Sequence, residues 1–293
     1  LDWSVAEHNP VRCPNQNTAK EIQELIKQTA DEGDSLGGII SCKVSNCQSG
    51  LGEPVFDKLD AELAKAIFHY VDPKLKLTFF KQDGDWIEPG MIVLEVGGLS
   101  QSILKAERLV LNCMQRMSGI ATYTRSLVQI IQGSKAKLLD TRKTTPNFRL
   151  AEKWACKIGG ATNHRYGLFD MILIKDNHVD FAGGISAALE KAFAYNLSRG
   201  NTLAIEIEVR NEKELEEVLE IGGVQRIMLD NFSPEKLRDA IRKIDGRFIT
   251  EASGGINETT LRAYAETGVD FISVGALTHS AKSLDMSLKA VLS

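Results

Sequence analysis

The rhythm of apolar and polar positions changes once along this chain of 293 residues, near position 136. Beyond it, six short apolar runs recur at 136–142, 171–175, 203–209, 226–230, 247–252 and 269–274, each followed by a helical segment. Strands that alternate with helices imply a parallel sheet, closed or nearly closed into a barrel. Six units fall short of the eight of a full barrel, so the expected architecture is an incomplete α/β barrel or one completed by neighbouring segments. The helices carry start and stop signals. Asn211 with Glu214 resembles a capping box, Ser233-Pro234 reads as an N-cap followed by proline at the first helical position, and Asn257 as a further N-cap. Gly222 and Gly268 suit helix ends.

Before position 136 the pattern is mixed. Glu21–Ile26 reads as helix and Ile39–Val44 as strand, and Val55, Phe56, Leu59, Leu63, Ala66 and Ile67 recur at helical spacing. Leu75–Phe79 alternates, turns follow at Asp83-Gly84 and Pro89-Gly90, and Met91–Val96 reads as a second strand. These elements make an α+β domain with a small sheet. A long helical region over about 102–131 follows, with a break expected at Ser118-Gly119. On it Leu104, Arg108 and Leu111 share a face, which places an arginine in an apolar stripe. By itself Arg108 reads first as a snorkelling or paired side chain beside Glu107, and second as a cation aimed into a site. At the end of the chain Leu284, Met286 and Leu288 alternate with Asp285, Ser287 and Lys289. That is strand spacing with no helix after it, so the last strand is expected to leave the barrel and join the first sheet. The division is thus an N-terminal α+β, sandwich-like domain over 1–117, to which 280–293 return, and a barrel over 118–279.

Composition narrows the function classes. Apolar residues make up 43% and charged residues 25%, as in ordinary globular proteins. The net charge of −4, with no basic block, argues against nucleic acid as a partner. No apolar run approaches the ~20 residues of a membrane helix, and no secretory leader is visible. Cys13, Cys42, Cys47, Cys113 and Cys156 are scattered without a CxxC pair, which disfavours zinc and a disulfide framework and points to a reducing cytoplasm.

Chemistry gathers at the strand ends, where barrel enzymes keep their working residues. The runs end in Arg142-Lys143, Lys175-Asp176-Asn177, Glu208, Asp230-Asn231, Ser253-Gly254-Gly255 and Gly275. Parity places Glu206 and Glu208 on one face of their strand, Lys175 with Leu173, and Asp230 with Met228. Inward charges of both signs could neutralise one another without any ligand. The mouth nevertheless offers Arg142, Lys143, His164, Arg165 and Lys175 against Glu208 and Asp230. That surplus suits a multiply anionic ligand, and the two carboxylates suit Mg²⁺, ribose hydroxyls or both. Glycine ends on two consecutive late strands suit a phosphate, and His279 adds a donor or is an ordinary surface histidine. His178 reads as a group that orients the Lys175 loop.

At these motifs the chain resembles the quinolinate phosphoribosyltransferases, or carboxylating nicotinate-nucleotide pyrophosphorylases. The resemblance rests on Glu107–Asn112, Ser118–Thr122, Asp140–Pro146, Asn163-His164-Arg165, Ile174–Val179, Ile207-Glu208-Val209, Leu229–Phe232, Glu251–Ile256 and Ile272–His279, and spans Leu104–Leu288. The family's Gly-Asp-x-Thr stretch near the start is echoed only by Asp31–Leu36. The resemblance implies an incomplete α/β barrel paired with an N-terminal domain. It also implies transfer of phosphoribosyl from phosphoribosyl pyrophosphate to quinolinate with Mg²⁺, releasing pyrophosphate and CO₂ and leaving nicotinate mononucleotide. Arg142, Arg165 and Arg108, the last donated across a homodimer interface, would clamp the quinolinate carboxylates, with His164 and Lys175 nearby. Lys143 and Lys175 would face the phosphoribosyl donor. Glu208 and Asp230 would hold ribose hydroxyls and Mg²⁺. Lys143, Lys175, Glu208 and Asp230 are then the catalytic set. Ser253, Gly254, Gly255 and Gly275, with His279, would cradle the 5-phosphate. Shared sites would make the dimer the working unit, alone or within a larger assembly of dimers. Two other readings of the same mouth are a non-catalytic sensor of phosphorylated sugars and a lyase or isomerase using Lys175 as a Schiff-base amine.

Overall fold

The computed structural model describes residues 6, 8–11, 13–31, 37–45, 60–200 and 203–291. In chain order the first elements are α1 (Gln16–Asp31), β1 (Gly37–Ser45), α2 (Asp60–Val71), β2 (Lys76–Phe79), β3 (Ile92–Leu99) and α3 (Ser100–Ile130). The strand-helix series follows as β4 (Lys137–Leu139), α4 (Arg149–Ile158), β5 (Ile172–Ile174), α5 (Asp176–Ala182), α6 (Ile185–Ser198) and β6 (Ile205–Val209). It continues with α7 (Glu212–Ile221), β7 (Arg226–Asp230), α8 (Pro234–Ile244), β8 (Ile249–Ser253), α9 (Leu261–Ala265), β9 (Phe271–Ser273) and α10 (Ala276–His279), and β10 (Asp285–Val291) ends the chain. Two compact units result, one of Leu1–Gly119 with Lys282–Ser293, the other of Ile120–Ala281.

The first unit is an antiparallel sheet in the order β10-β1-β3-β2. Ile40 of β1 pairs with Val96 on one side and Ala290 on the other, so the end of the chain does return to the first sheet. Ala64 and Phe68 of α2 and Ile103, Ala106 and Val110 of α3 pack with Leu94 and Val96 of β3 and Met286 of β10 in one core. The buried positions of α3 thus follow 103, 106, 110, 114 and 117, the i, i+3, i+4 stripe of a helix lying on a sheet. Leu104 and Arg108 lie off that stripe and are exposed, unlike Leu111, which corrects the expected apolar face around Arg108. The expected break at Ser118-Gly119 is also absent, because α3 runs unbroken to Ile130. Gly119 has another purpose. A Cβ there would collide with the carbonyl oxygen of Lys282 and lie 3.0 Å from Ser283 Cα, so glycine lets the segment entering β10 pass close to the helix. Val55, Phe56, Leu59 and Glu32–Leu36, which entered the sequence reading, lie outside the described residues.

The second unit holds a parallel sheet in the order β4-β9-β8-β7-β6-β5. Outside β4 the chain adds a further bridge, where Thr162 pairs with Leu139 and its N–H donates to Leu138 O at 2.8 Å. Ile205, Ile207, Val209, Ile227, Leu229, Ala252 and Ile272 are buried on the helix side, which leaves their alternates facing inward. Asn211 caps α7 by accepting the Glu214 N–H at 3.0 Å, but the Glu214 carboxylate accepts the Arg210 N–H at 2.7 Å, so the reciprocal bond lands one residue upstream. Ser233 caps α8, with Pro234 at its start. Asn257 is not the cap of α9. It heads the preceding turn by accepting the Thr259 N–H at 3.0 Å, and Thr260 holds the N-cap position.

Candidate active site

The parallel register carries the residues predicted at the strand ends to one rim. The strand ends follow the sheet order, so Arg142-Lys143 after β4 is succeeded by Gly275 after β9, Ser253–Gly255 at β8, Asp230 at β7, Glu208 on β6 and Lys175 after β5. Arg142, Arg165, Met171, Lys175 and Tyr195 line one cavity of about 570 Å³. Arg165 reaches it from the segment beyond β4, and its guanidinium donates to Met171 O at 3.2 Å, bridging toward β5. Burial holds its pKa below the ordinary arginine value, and the like charge of Arg142 adds to the shift. Glu206 and Asp170 act in the opposite sense on Arg165, and an anion held between the two guanidinium groups would offset their mutual repulsion further.

Lys175 is half exposed, and its ammonium lies 2.7 Å from Glu208 Oε2. Its backbone N–H donates to His178 Nδ1 at 2.9 Å, so His178 does orient this turn. Asp230 Oδ2 accepts from Asn231 Nδ2 at 2.6 Å, and the Asn231 N–H donates to Ser253 O at 2.8 Å. Gly254 takes a φ of +98°, and a Cβ there would collide with Asn231 Oδ1. The glycine is required for the β8 loop to lie against Asn231. Gly275 lies against two other predicted residues, since a Cβ on it would be 3.1 Å from His279 Nε2 and 3.3 Å from Lys143 Cδ. Thr278 Oγ1 donates to Lys143 O at 2.8 Å and fixes that junction. Glycine backbone, a lysine and a histidine thus meet at the rim between β4 and β9.

His164 is the predicted residue that the structure places elsewhere. Its ring turns down into the barrel, with Nε2 2.9 Å from Glu206 and 3.4 Å from Glu251. Arg226 lies 3.0 Å from the Glu251 carboxylate and stacks 4.7 Å from the Phe271 ring centroid. Burial opposes a charge on His164, yet its contacts with Glu206 and Glu251 push it up to about 9. Its Nδ1, however, accepts the Arg165 N–H at 2.7 Å, which requires that nitrogen to be unprotonated. The ring proton therefore sits on Nε2 facing Glu206, whose own pKa is pushed up to about 7 by burial and by Glu251. The ligand atoms of His164, Glu206 and Glu251 lie within 4.8 Å of one another, a spacing open to a metal ion. The Arg226 cation already occupies the electrostatic role a metal would have there.

A family model described as quinolinate phosphoribosyl transferase, C-terminal domain, matches residues 120–289, and its N-terminal counterpart matches residues 61–118. The chain belongs to the quinolinate phosphoribosyltransferase family. A chorismate synthase model also matches residues 2–70, a stretch that contains none of the rim. Among curated relatives, the chloroplastic carboxylating nicotinate-nucleotide pyrophosphorylase of Oryza sativa subsp. japonica is 45% identical over 94% of this chain and 80% of its own length. The probable carboxylating nicotinate-nucleotide pyrophosphorylase of Bacillus subtilis is 42% identical over 93% and 94%. The solved nicotinate-nucleotide pyrophosphorylase of Francisella tularensis superposes with a TM-score of 0.79 at 36% identity, covering 97% of this chain and 99% of that one.

Within this quinolinate phosphoribosyltransferase fold, sequence spacing brought out the rim but not the polar interior beneath it. Glu206 was visible as an inward carboxylate, whereas its partners Glu251, Arg226 and His164 come from three separate segments. Parity was the signal available, since Arg226 and Glu206 are register partners, as are Glu251 and Met228. Arg108 lies in the first unit, exposed on α3 beside exposed Leu104 and Leu109. Among the described residues no helix is long and apolar enough to cross a membrane.

Proposed function

We propose that this chain transfers the phosphoribosyl group of phosphoribosyl pyrophosphate to the ring nitrogen of quinolinate with decarboxylation. The products are nicotinate mononucleotide, pyrophosphate and CO₂, and the reaction feeds de novo NAD synthesis. One observation carries the reading: Arg142 and Arg165 line a single cavity with Lys175, and their like charges oppose each other there. A rigid dianion with adjacent carboxylates satisfies both guanidinium groups at once, and arginine forks read carboxylates better than ammonium groups do. Lys143, Gly275 and His279 suit the 5-phosphate, together with Ser253, Gly254 and Gly255. Glu208 and Asp230 are hard oxygen donors at the ends of neighbouring strands, the donor type that Mg²⁺ takes. Mg²⁺ bound there would offset charge on the departing pyrophosphate. The protein's own part is positioning. Arginines orient the ring so that its nitrogen faces the sugar carbon, and fixed cations favour the separating charges. Lys175 serves as a cation in this reading, its Nζ paired with Glu208 Oε2 at 2.7 Å.

The working form in this reading is a homodimer, in which the partner subunit supplies an arginine equivalent to Arg108 to each cavity. The exposed apolar neighbours of Arg108 fit a surface that meets a second copy. A reducing, aqueous compartment such as the cytoplasm fits the buried free cysteines Cys13 and Cys156. The decisive test supplies purified protein with the donor, Mg²⁺ and either quinolinate or nicotinate. Nicotinate mononucleotide should form from quinolinate with stoichiometric CO₂. Absence of product across a range of Mg²⁺ concentrations would remove the reading. Mixing Arg108→Ala with Lys175→Ala subunits should restore part of the activity each lacks, and no recovery after verified subunit exchange would remove the shared site.

A further inference from the structure

α4 carries three polar residues on one face, Arg149, Glu152 and Lys153, at i, i+3 and i+4. None of them lines the cavity, and all of them grip the two segments that do. Glu152 accepts from Thr145 twice, from its N–H at 2.9 Å and from its Oγ1 at 2.8 Å. Lys153 pairs with Asp140, and Asp140 Oδ1 also accepts the His164 N–H at 2.8 Å. Asp140 and Thr145 are the two ends of the loop that presents Arg142 and Lys143, so the helix holds that loop from both sides. Asn163 Nδ2 donates to Lys153 O at 3.1 Å, which ties the segment leading to Arg165 to the same helix.

Arg149 completes the arrangement by touching both segments with one guanidinium. Its Nε donates to Thr144 Oγ1 at 3.1 Å and one Nη to Arg142 O at 3.5 Å, while the other Nη donates to Tyr166 O at 3.1 Å. The residues contacted are therefore Arg142 itself, a residue near it, and the residue after Arg165. A planar fork with fixed angles between its donors can set a distance between two backbones, which a lysine ammonium at the end of a flexible stem cannot do.

We infer that Arg149 is a positioning residue that sets the separation of Arg142 and Arg165, and through it the fit of the site to a ligand with two adjacent carboxylates. The inference rests on the reading of the cavity as the quinolinate site. It concerns ground-state recognition of one substrate, so its signature is a split between the two Michaelis constants.

The test measures steady-state kinetics for wild type, Arg149→Met and Arg149→Lys, with each substrate varied in turn and thermal melting recorded in parallel. Loosening a two-point clamp should raise KM for quinolinate about tenfold or more while KM for the donor stays within about twofold. Arg149→Lys keeps the charge but loses the fork, so it should show the same split. Full restoration by lysine would mean that charge alone matters and would overturn the inference. So would equal rises in both KM values, the mark of general loosening, or an unchanged KM for quinolinate in Arg149→Met. Glu152→Ala frees the end of the loop beyond Lys143, whose carbonyl Thr278 Oγ1 still holds, so it should show the split independently if Arg149→Met fails to fold. If wild type itself makes no product from quinolinate, this inference falls with the functional reading. If wild type turns over and the variants match it, only the positioning role falls.

Discussion

Replacing Lys153 by methionine tests how the buried charges beneath the rim are balanced. Lys153 is 2% exposed and Asp140 0%, and the two pair inside the second unit. Burial holds the Asp140 pKa above the ordinary aspartate value, and the Lys153 cation and the His164 N–H only partly offset it. Lys153→Met leaves a buried carboxylate with one amide donor and no cation, which costs about 3–5 kcal/mol. That is a large part of the ~5–15 kcal/mol by which a domain is stable. The sign with pH follows from linkage. Without its cation, Asp140 has a still higher folded pKa and binds a proton that the unfolded chain releases. Stability then falls as pH rises above the unfolded aspartate value of about 3.9, until the folded pKa is passed. The deficit relative to wild type should therefore be small near pH 4 and large near pH 8. Asp140→Asn combined with Lys153→Met removes the charge while keeping an acceptor for the His164 N–H, and should recover at least half of the loss. Urea unfolding followed by Trp154 fluorescence, with Trp3 and Trp86 changed to phenylalanine, reports the second unit by itself. A Lys153→Met deficit under about 1 kcal/mol, a deficit independent of pH, or a double variant weaker than the single one would refute the reasoning.

Arg165→Ala should raise KM for quinolinate far more than KM for the phosphoribosyl donor, and equal losses would contradict its place in the clamp. Gly254→Ala forces a side chain onto Asn231 at a φ of +98°, so it should raise KM for the donor about tenfold or more and leave quinolinate binding intact, as paired kinetics would show. Gly119→Ala should destabilise the first unit by about 1–3 kcal/mol, seen as an earlier melting transition, because its Cβ has no room beside Lys282 and Ser283. An unshifted transition would mean that the segment entering β10 yields freely.

The fold was most legible where periodicity and caps agreed. The six apolar runs after position 136 all became strands, since a strand feeding a capped helix writes both its period and its boundary into the local sequence. Legibility failed where a distant segment decides a local choice. Gly119 reads as a helix break because glycine is a poor helix former, yet it is retained for a chain more than 160 residues later. Arg108 read as part of an apolar stripe because spacing alone does not say which side of α3 meets the sheet. Asn257 read as a cap because Asx turns and N-caps share one side-chain bond.

Sequence spacing also left open whether inward charges cancel or wait for a ligand, and the structure answers according to depth. Low in the barrel, Glu206 and Glu251 meet the Arg226 cation and the Nε2–H of His164, and the raised pKa of Glu206 lets a proton balance the remaining charge with no guest. At the rim, Lys175 is matched by Glu208, whereas Arg142 and Arg165 line one cavity and their like charges oppose each other. His164 links the two levels: its ring joins the balanced layer, while its Nδ1 accepts the N–H of Arg165 from the unbalanced one. A neutral layer beneath gives the rim a fixed floor, and the like-charge repulsion of Arg142 and Arg165 is confined to the cavity above it. Removing the floor, as in Glu251→Gln, should therefore disturb Arg165 before it disturbs Lys175. Quinolinate affinity would fall first, and a variant that instead lost donor affinity alone would show that the two layers are not coupled through His164.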